Sequence, residues 1–204
     1  MYGSHPPAPG TAQGTSLDPS DAALIAQSRD DPECFAVIFD RYFAEIHRYV
    51  SSRLGTGPAD DVAAETFLAA FSQRHRYDTA RAQARAWLYG IATNLVRRHR
   101  RTEVRAYRAL ERTPAEADSG GHADRVADRV SAQRMQPRLA AALAGLSAGD
   151  RDVLLLVAYG ELSYDEVALA LGIPAGTVGS RLNRARRHLR RVLGHDPLAS
   201  GGTE

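Results

Sequence analysis

LSYDEVALALGIPAGTVGSRLNRARRHLRR, residues 162–191, decides the fold. Ser163 followed three positions later by Glu166 is a capping pattern that opens a helix through Val167, Ala168 and Leu171. Gly172-Ile173-Pro174 reads as a tight turn, with glycine supplying the positive φ. A second helix runs from Pro174 or Ala175 to Leu193. Val178, Leu182, Ala185, Leu189 and Val192 lie on one of its faces and arginines on the others. Ala168, Gly172 and Val178 are spaced four and six residues apart. A small residue at the crossing lets two short helices approach, and Val178 seats the second helix on the first. This is the pattern of a helix-turn-helix. A three- or four-helix bundle with a basic exterior is the plainer reading; geometry and charge together favour DNA binding.

The outward side chains of the second helix carry the chemistry. Thr177, Ser180, Arg181 and Arg184 lie on or near the part that would enter a major groove, where arginine pairs bidentately with guanine or holds phosphate. Arg187, Arg190 and Arg191 lie further along and suit phosphate contacts.

Working outward, the rest of the chain also reads as helix. A short helix carries Ala23 to Ala26. Asp31-Pro32 starts a long amphipathic helix in which Phe35, Ile38, Phe39, Tyr42, Ile46, Tyr49, Val50 and Leu54 recur at three- and four-residue spacing. Gly55 and Gly57-Pro58 end it. A helix over 59–71 places Asp60 and Asp61 where its dipole favours negative charge. Residues 72–80 read as a loop. A further helix spans about 81–110, with Trp87, Leu88, Ile91 and Leu95 as an apolar seam and Trp87 assigned to the core. Residues 111–133 have no apolar seam and mark a domain boundary. Beyond it, Leu139, Leu143 and Leu146 suggest a short helix. Ser147 and Asp150 repeat the capping pattern before a helix ending at Gly160. The expected fold is all-α: two small helical domains joined by a flexible linker, the second containing the helix-turn-helix.

Composition narrows the function. The chain has 204 residues, a single cysteine (Cys34) and a net charge of +2. One cysteine excludes an internal disulfide, and no histidine spacing suits a metal, so neither a metal nor a cofactor is expected. No apolar run approaches the roughly 18 residues of a membrane span, and no secretory leader is evident. A cytoplasmic setting is expected. All 26 basic residues are arginine. Residues 30–72 carry a net −5, residues 85–112 a net +6 and residues 174–193 a net +6. The chain is segmented into one acidic region and two separated basic regions; a solvated helix face explains any single run, and two basic runs in helical context weigh against that. Asp60-Asp61 and Asp165-Glu166 sit at helix starts, where capping explains them. With no phosphate cradle or nucleophile elbow, no catalytic residue is assigned.

Three segments resemble the bacterial RNA polymerase sigma factors of the sigma-70 family, extracytoplasmic-function class. ADDVAAETFLAAF at 59–71 is similar to a conserved helix of the family's region 2. RAWLYGIATNLVRRHRR at 85–101 is similar to its promoter-melting and −10-recognition helix. LSYDEVALALGIPAGTVGSRLNRARRHL at 162–189 is similar to its −35-recognition domain. The resemblance implies a region 2-like domain at 20–110, a linker at 111–135 and a region 4-like domain at 136–194; residues 1–19, rich in Pro and Gly, read from composition as a disordered tail, and 195–204 as a second tail. It implies core RNA polymerase as partner, through the clamp helices of the largest subunit and the flap region, together with promoter DNA. It also admits an anti-sigma protein. Carried onto this chain, Arg41, Tyr42, Asp61, Glu65 and Phe67 become docking candidates. Arg76, Tyr77, Asp78, Asn94, Arg97, Arg98 and Arg101 become candidates for −10 recognition and melting. Thr177, Ser180, Arg181, Arg184 and Arg187 become candidates for the −35 element.

The sequence departs from the family at Gly179, where a basic residue is common, and at Asn183. The linker carries a net −2 over 111–133, which suggests mimicry of RNA in the polymerase channel. A DNA-binding regulator with a sensing or dimerising N-terminal domain is the alternative function. The basic helix beyond Val96 fits it poorly.

Overall fold

A computed structural model describes residues 19–81, 83–111 and 137–193. The expectations for the tail at 1–18, the linker at 112–136 and the segment 194–204 lie outside these residues. Among the described residues eight α-helices follow one another: α1 (Asp21–Gln27), α2 (Phe35–Leu54), α3 (Ala59–Gln73), α4 (Ala84–Glu111), α5 (Pro137–Ala144), α6 (Ala148–Ala158), α7 (Tyr164–Leu171) and α8 (Ala175–Leu193). No strand occurs among the described residues.

The first four helices form one module. Ser20 caps α1, and Asp31 caps a 3-10 turn at Pro32–Cys34 that leads into α2. Ile38, Ile46, Tyr49 and Val50 of α2 are fully buried against Ala59, Ala63 and Ala70 of α3 and Leu88, Tyr89, Ala92 and Val96 of α4. Residues 72–80 are more ordered than a loop. α3 runs on to Gln73, and 3-10 turns follow at Arg74–Arg76 and Thr79–Arg81. Asp78 helps fix the second turn by accepting from the Ala80 amide. α4 therefore starts at Ala84.

The last four helices form the second module, and the turn chemistry read from the sequence is present. Ser163 and Glu166 make a full capping box, and Gly172 adopts φ 63° at the end of α7. Val178, Leu182 and Ala185 of α8 are buried. At the start of α6 only half of the box forms. Ser147 accepts from the Asp150 amide, but the Asp150 carboxylate turns to Arg184 on α8 instead. α6 stops at Ala158, two residues before Gly160. Gly160 has a packing role: a Cβ there would lie 2.6 Å from the Leu156 carbonyl oxygen and 3.0 Å from the Tyr89 ring.

The two modules touch. α4 packs along α7, and their buried residues join in one apolar core. At the crossing Gly90 faces the backbone of Ala170 so closely that a Cβ would meet the carbonyl oxygen at 2.6 Å. Arg85 donates to the Gly160 carbonyl at the α6–α7 turn while pairing with Glu45. Asp152 of α6, with no exposed surface, forms an ion pair with Arg53 of α2 and accepts from Arg97 of α4.

Candidate nucleic-acid interface and docking face

The first candidate site is a cleft of about 370 Å³ at the start of α4. Arg76, Tyr77, Asp78 and Asn94, all named from the sequence, line it together with Gln73, Gln83, Trp87, Gly90 and Ile91. The 3-10 turns bring residues 76–78 over the first turns of α4, which is why positions 16 or more residues apart meet. Trp87 is only partly a core residue. Half-buried, it packs on the core with one side and lines the cleft with another. The Tyr77 ring lies against it, centroids 4.9 Å apart. Burial raises the Tyr77 hydroxyl pKa, and the charge of Asp21 adds to the effect. An aromatic pair, an amide and a guanidinium in one cleft are the groups that hold an unstacked base and its phosphate.

The other wall of this cleft belongs to the second module: Leu169 and Ala170 of α7 close it. Nothing in the local sequence pattern announces this.

The remaining −10 candidates are not in the cleft. Arg97 is held by Asp152, its Nε 2.7 Å from the carboxylate. Arg98 pairs with Glu65 of α3. Arg101 is exposed and lines a different cleft further along α4.

The second site is the outer surface of α8. Ser180 and Arg187 are exposed, as are Asn183 and Arg186, while Thr177 is half-buried. Arg181 lies over the first turn of α6, against Gly149. Arg184 donates to Asp150 at 2.9 Å. Burial opposes ionisation of Asp150, but hydrogen bonds from Arg184 and Ser147 and the charges of Arg184 and Arg181 hold its carboxyl below the usual range. Two of the five −35 candidates thus lean on α6 in this arrangement. The contacts with the first module come from α7, Asp152 and the α6–α7 turn, so the exposed arginines of α8 stay outward.

The third site is the face of α2 and α3. Asp61 is exposed, and Glu65 is half-exposed beside Arg98. Phe67 is a core residue, 4% exposed, with its ring against Phe39 and Phe43. Arg41 and Tyr42 are tied back to Asp21 of α1. The same two helices expose apolar side chains: Val37 and Phe39 on α2 and, at 66% exposure, Leu68 on α3. Leu68 was missed in the sequence because it reads as one more apolar residue of α3. Its position one residue past the buried Thr66–Phe67 pair is the signal that could have found it.

Comparison with known proteins identifies the family of both modules. The Sigma-70 region 2 model matches residues 38–106, and the Sigma-70, region 4 model matches 137–189. A probable RNA polymerase sigma-C factor of Mycobacterium bovis is 35% identical over 182 residues, 86% of this chain and 92% of the relative. The ECF RNA polymerase sigma factor SigL of Mycobacterium tuberculosis is 37% identical over 158 residues, 76% of this chain and 86% of the relative. The solved structure of CnrH in complex with the cytosolic domain of CnrY is similar with a TM-score of 0.59 and 27% identity, covering 85% of this chain and 96% of that one.

Proposed function

The chain belongs to the sigma-70 family of RNA polymerase sigma factors, in the extracytoplasmic-function class, and from that premise we propose how its residues divide the work. It binds core RNA polymerase, directs it to −35/−10 promoters and assists promoter melting. Sigma factors are non-enzymatic initiation factors, and nucleotidyl transfer is assigned to the polymerase. Among the described residues no helix is long and apolar enough to cross a membrane, and we place the protein in the cytoplasm with the polymerase.

Residues 20–110 form the docking and −10 module, and 136–194 the −35 module, joined by 111–135. The cleft lined by Arg76, Tyr77, Asp78, Trp87 and Asn94 receives an unstacked −10 base of the non-template strand. Arg98 and Arg101 follow its backbone. Thr177, Ser180 and Arg187 face the −35 duplex, joined by Arg181 and Arg184 once these swing from α6. Asp61, Leu68 and Phe39 meet the clamp helices of the polymerase; Glu65 exchanges Arg98 for a polymerase group. The single observation that carries this reading is the pairing, in one chain, of an aromatic cleft on α4 with an outward basic helix in a helix-turn-helix. Leu169 and Ala170 wall one side of the cleft, where the strand carrying that base would run, so promoter engagement separates α7 from α4. The structure similar to this chain contains CnrY, and a protein of that kind, covering Val37, Phe39 and Leu68, is a partner class that would hold this chain inactive.

Run-off transcription with purified core polymerase on a promoter library tests the assignment. Arg76→Ala and Asn94→Ala should impair opening of −10 sequences while leaving −35 preference intact. Arg187→Ala should do the reverse. Loss of both preferences in every variant would refute the division of labour.

A further inference from the structure

Tyr77 is held by its backbone as well as by its ring. The ring is 7% exposed and packs against Trp87, and both residues line the cleft on α4. The Tyr77 amide donates to the Arg74 carbonyl at 3.2 Å. The Tyr77 carbonyl accepts from the Arg29 guanidinium at 2.9 Å, across 48 positions of the chain. Arg29 stands in the corner that follows α1. Arg74 returns the contact. Its Nε donates to the Ser28 carbonyl at 2.9 Å and its Nη1 to the Phe71 carbonyl at 2.8 Å, with the guanidinium 3.9 Å from the centre of the Phe71 ring. The two half-buried arginines therefore cross between the corner after α1 and the 3-10 turn at Arg74–Arg76. Ser28 has no exposed surface, and its hydroxyl donates to the Ile25 carbonyl, which fixes the corner. The other end of α1 is tied to α2, where Asp21 accepts from Arg41 and Tyr42.

A carbonyl taken from water needs a donor, and a charged donor makes a stronger bond than a neutral one. A planar guanidinium that reaches two carbonyls at once fixes direction as well as distance. Neither Arg29 nor Arg74 lines the cleft. We propose that both are positioning residues for −10 recognition. The crossed pair sets the place of Tyr77, and with it the place of Arg76 on the same turn, so the cleft is shaped before a base arrives. This role rests on the reading of the cleft as the −10 site. A preformed site discriminates only while its supporting contacts hold it, and a looseness of about 1 Å is enough to blur it. Once the Tyr77 carbonyl is released, the turn that carries Arg76 and Tyr77 drifts from α4, and a wrong base is accepted nearly as well as the right one. The crossed contacts do not involve α8, so −35 preference is untouched.

The test uses holoenzyme assembled from core polymerase and the full chain, transcribing a library randomised over the −10 element behind the −35 sequence that the parent chain selects. Arg29→Gln should flatten the preference at the base read by the cleft about five- to tenfold. Affinity for core polymerase and −35 preference should stay as in the parent. Arg29→Lys keeps a charged donor and should restore part of the −10 preference. Ile46→Val trims the fully buried core of α2. It should lower the urea midpoint and leave the preference whole. In the isolated chain the emission of Trp87, the sole tryptophan, should shift in Arg29→Gln and not in Ile46→Val, because the Tyr77 ring leaves its face. Arg74→Gln cuts the return contacts, should flatten the same base position, and serves where Arg29→Gln does not assemble with the polymerase. Full −10 preference in either assembled glutamine variant, while Arg76→Ala and Asn94→Ala lose theirs, overturns the proposal. An equal flattening by Ile46→Val also overturns it, since Arg29 would then act through stability alone. If Arg76→Ala and Asn94→Ala keep full preference too, the cleft is not the −10 site, and the proposal falls with the reading beneath it.

Discussion

The Arg97 guanidinium, on the helix that carries the −10 cleft, is held by the carboxylate of Asp152, 55 residues later and on the other module. Asp152 has no exposed surface, and its second partner, Arg53, is 3% exposed. A promoter-contacting role for Arg97 and this ion pair exclude one another, so the contact between modules and the binding of DNA compete for the same charge.

Asp152→Asn should therefore destabilise the chain by about 3–5 kcal/mol, because it leaves the Arg53 charge buried without its carboxylate. Urea unfolding measures this. Combining Arg53→Met with Asp152→Leu should recover most of the loss, since an apolar pair of similar volume avoids the desolvation cost. If Asp152→Asn proves neutral, the pair is not buried in solution.

Gly90→Ala separates local from tertiary effects. Alanine favours α4 by about 1 kcal/mol over glycine, but its Cβ would meet the Ala170 carbonyl oxygen at 2.6 Å. The variant should fold with α4 intact and a larger radius of gyration by small-angle scattering. It should also bind a single-stranded −10 oligonucleotide more tightly than the parent chain, with the sole tryptophan, Trp87, reporting occupancy by fluorescence. An unchanged radius together with unchanged affinity would show that α7 does not wall the cleft in solution.

At the helix-turn-helix, Ser163→Ala removes a capping box and should cost about 1 kcal/mol. Gly172 has nothing within 4 Å of where a Cβ would lie, but its φ is 63°. Gly172→Ala should thus cost about as much through backbone strain alone. Thermal unfolding of both variants checks these costs.

Asp150 and Arg184 give the fold an acid-sensitive contact. The folded carboxyl titrates below its ordinary value of 3.8. A depressed carboxyl contributes stability that is present above the unfolded value and is lost as pH falls through the lower folded one. Wild type should be more stable than Arg184→Ala above about pH 4, and the difference should shrink on further acidification. A difference that grows as pH falls would contradict the pairing.

On the docking face, Leu68→Glu should lower affinity for core polymerase without unfolding the chain, because Leu68 is 66% exposed. Phe67→Ala, one residue away, should instead cost about 3–5 kcal/mol of stability. Pull-down with core polymerase and urea unfolding separate the two effects.

These contrasts show what the sequence made legible. The helix-turn-helix was readable because its signals are local: Ser163 and Glu166 cap, Gly172 turns, and Val178, Leu182 and Ala185 repeat at helical spacing. Resemblance to a known family named Arg76, Tyr77 and Asp78 in one loop and Asn94, with Arg97, Arg98 and Arg101, on the helix after it; that Asn94 shares a cleft with the loop while the three arginines do not is set by the packing. The contact between modules was not readable. Asp152 reads as one more acid in the second turn of α6, and only Arg53 and Arg97, far away in the chain, make it a buried ion. Gly90 reads as a weak point in a helix until Ala170 is seen against it. Phe67 and Leu68 are adjacent apolar residues of α3, and only the packing of α2 decides which is core and which is surface.

The most direct test of the whole reading is a distance between the modules. In a Cys34→Ser background, spin labels at the exposed positions Gln73 and Asp165 would sit on opposite sides of the α4–α7 contact, and pulsed electron paramagnetic resonance would report their separation. The expected result is a short, narrow distance in the isolated chain that lengthens when core polymerase and promoter DNA are bound. A distance that stays short in a complex actively making transcripts would contradict it.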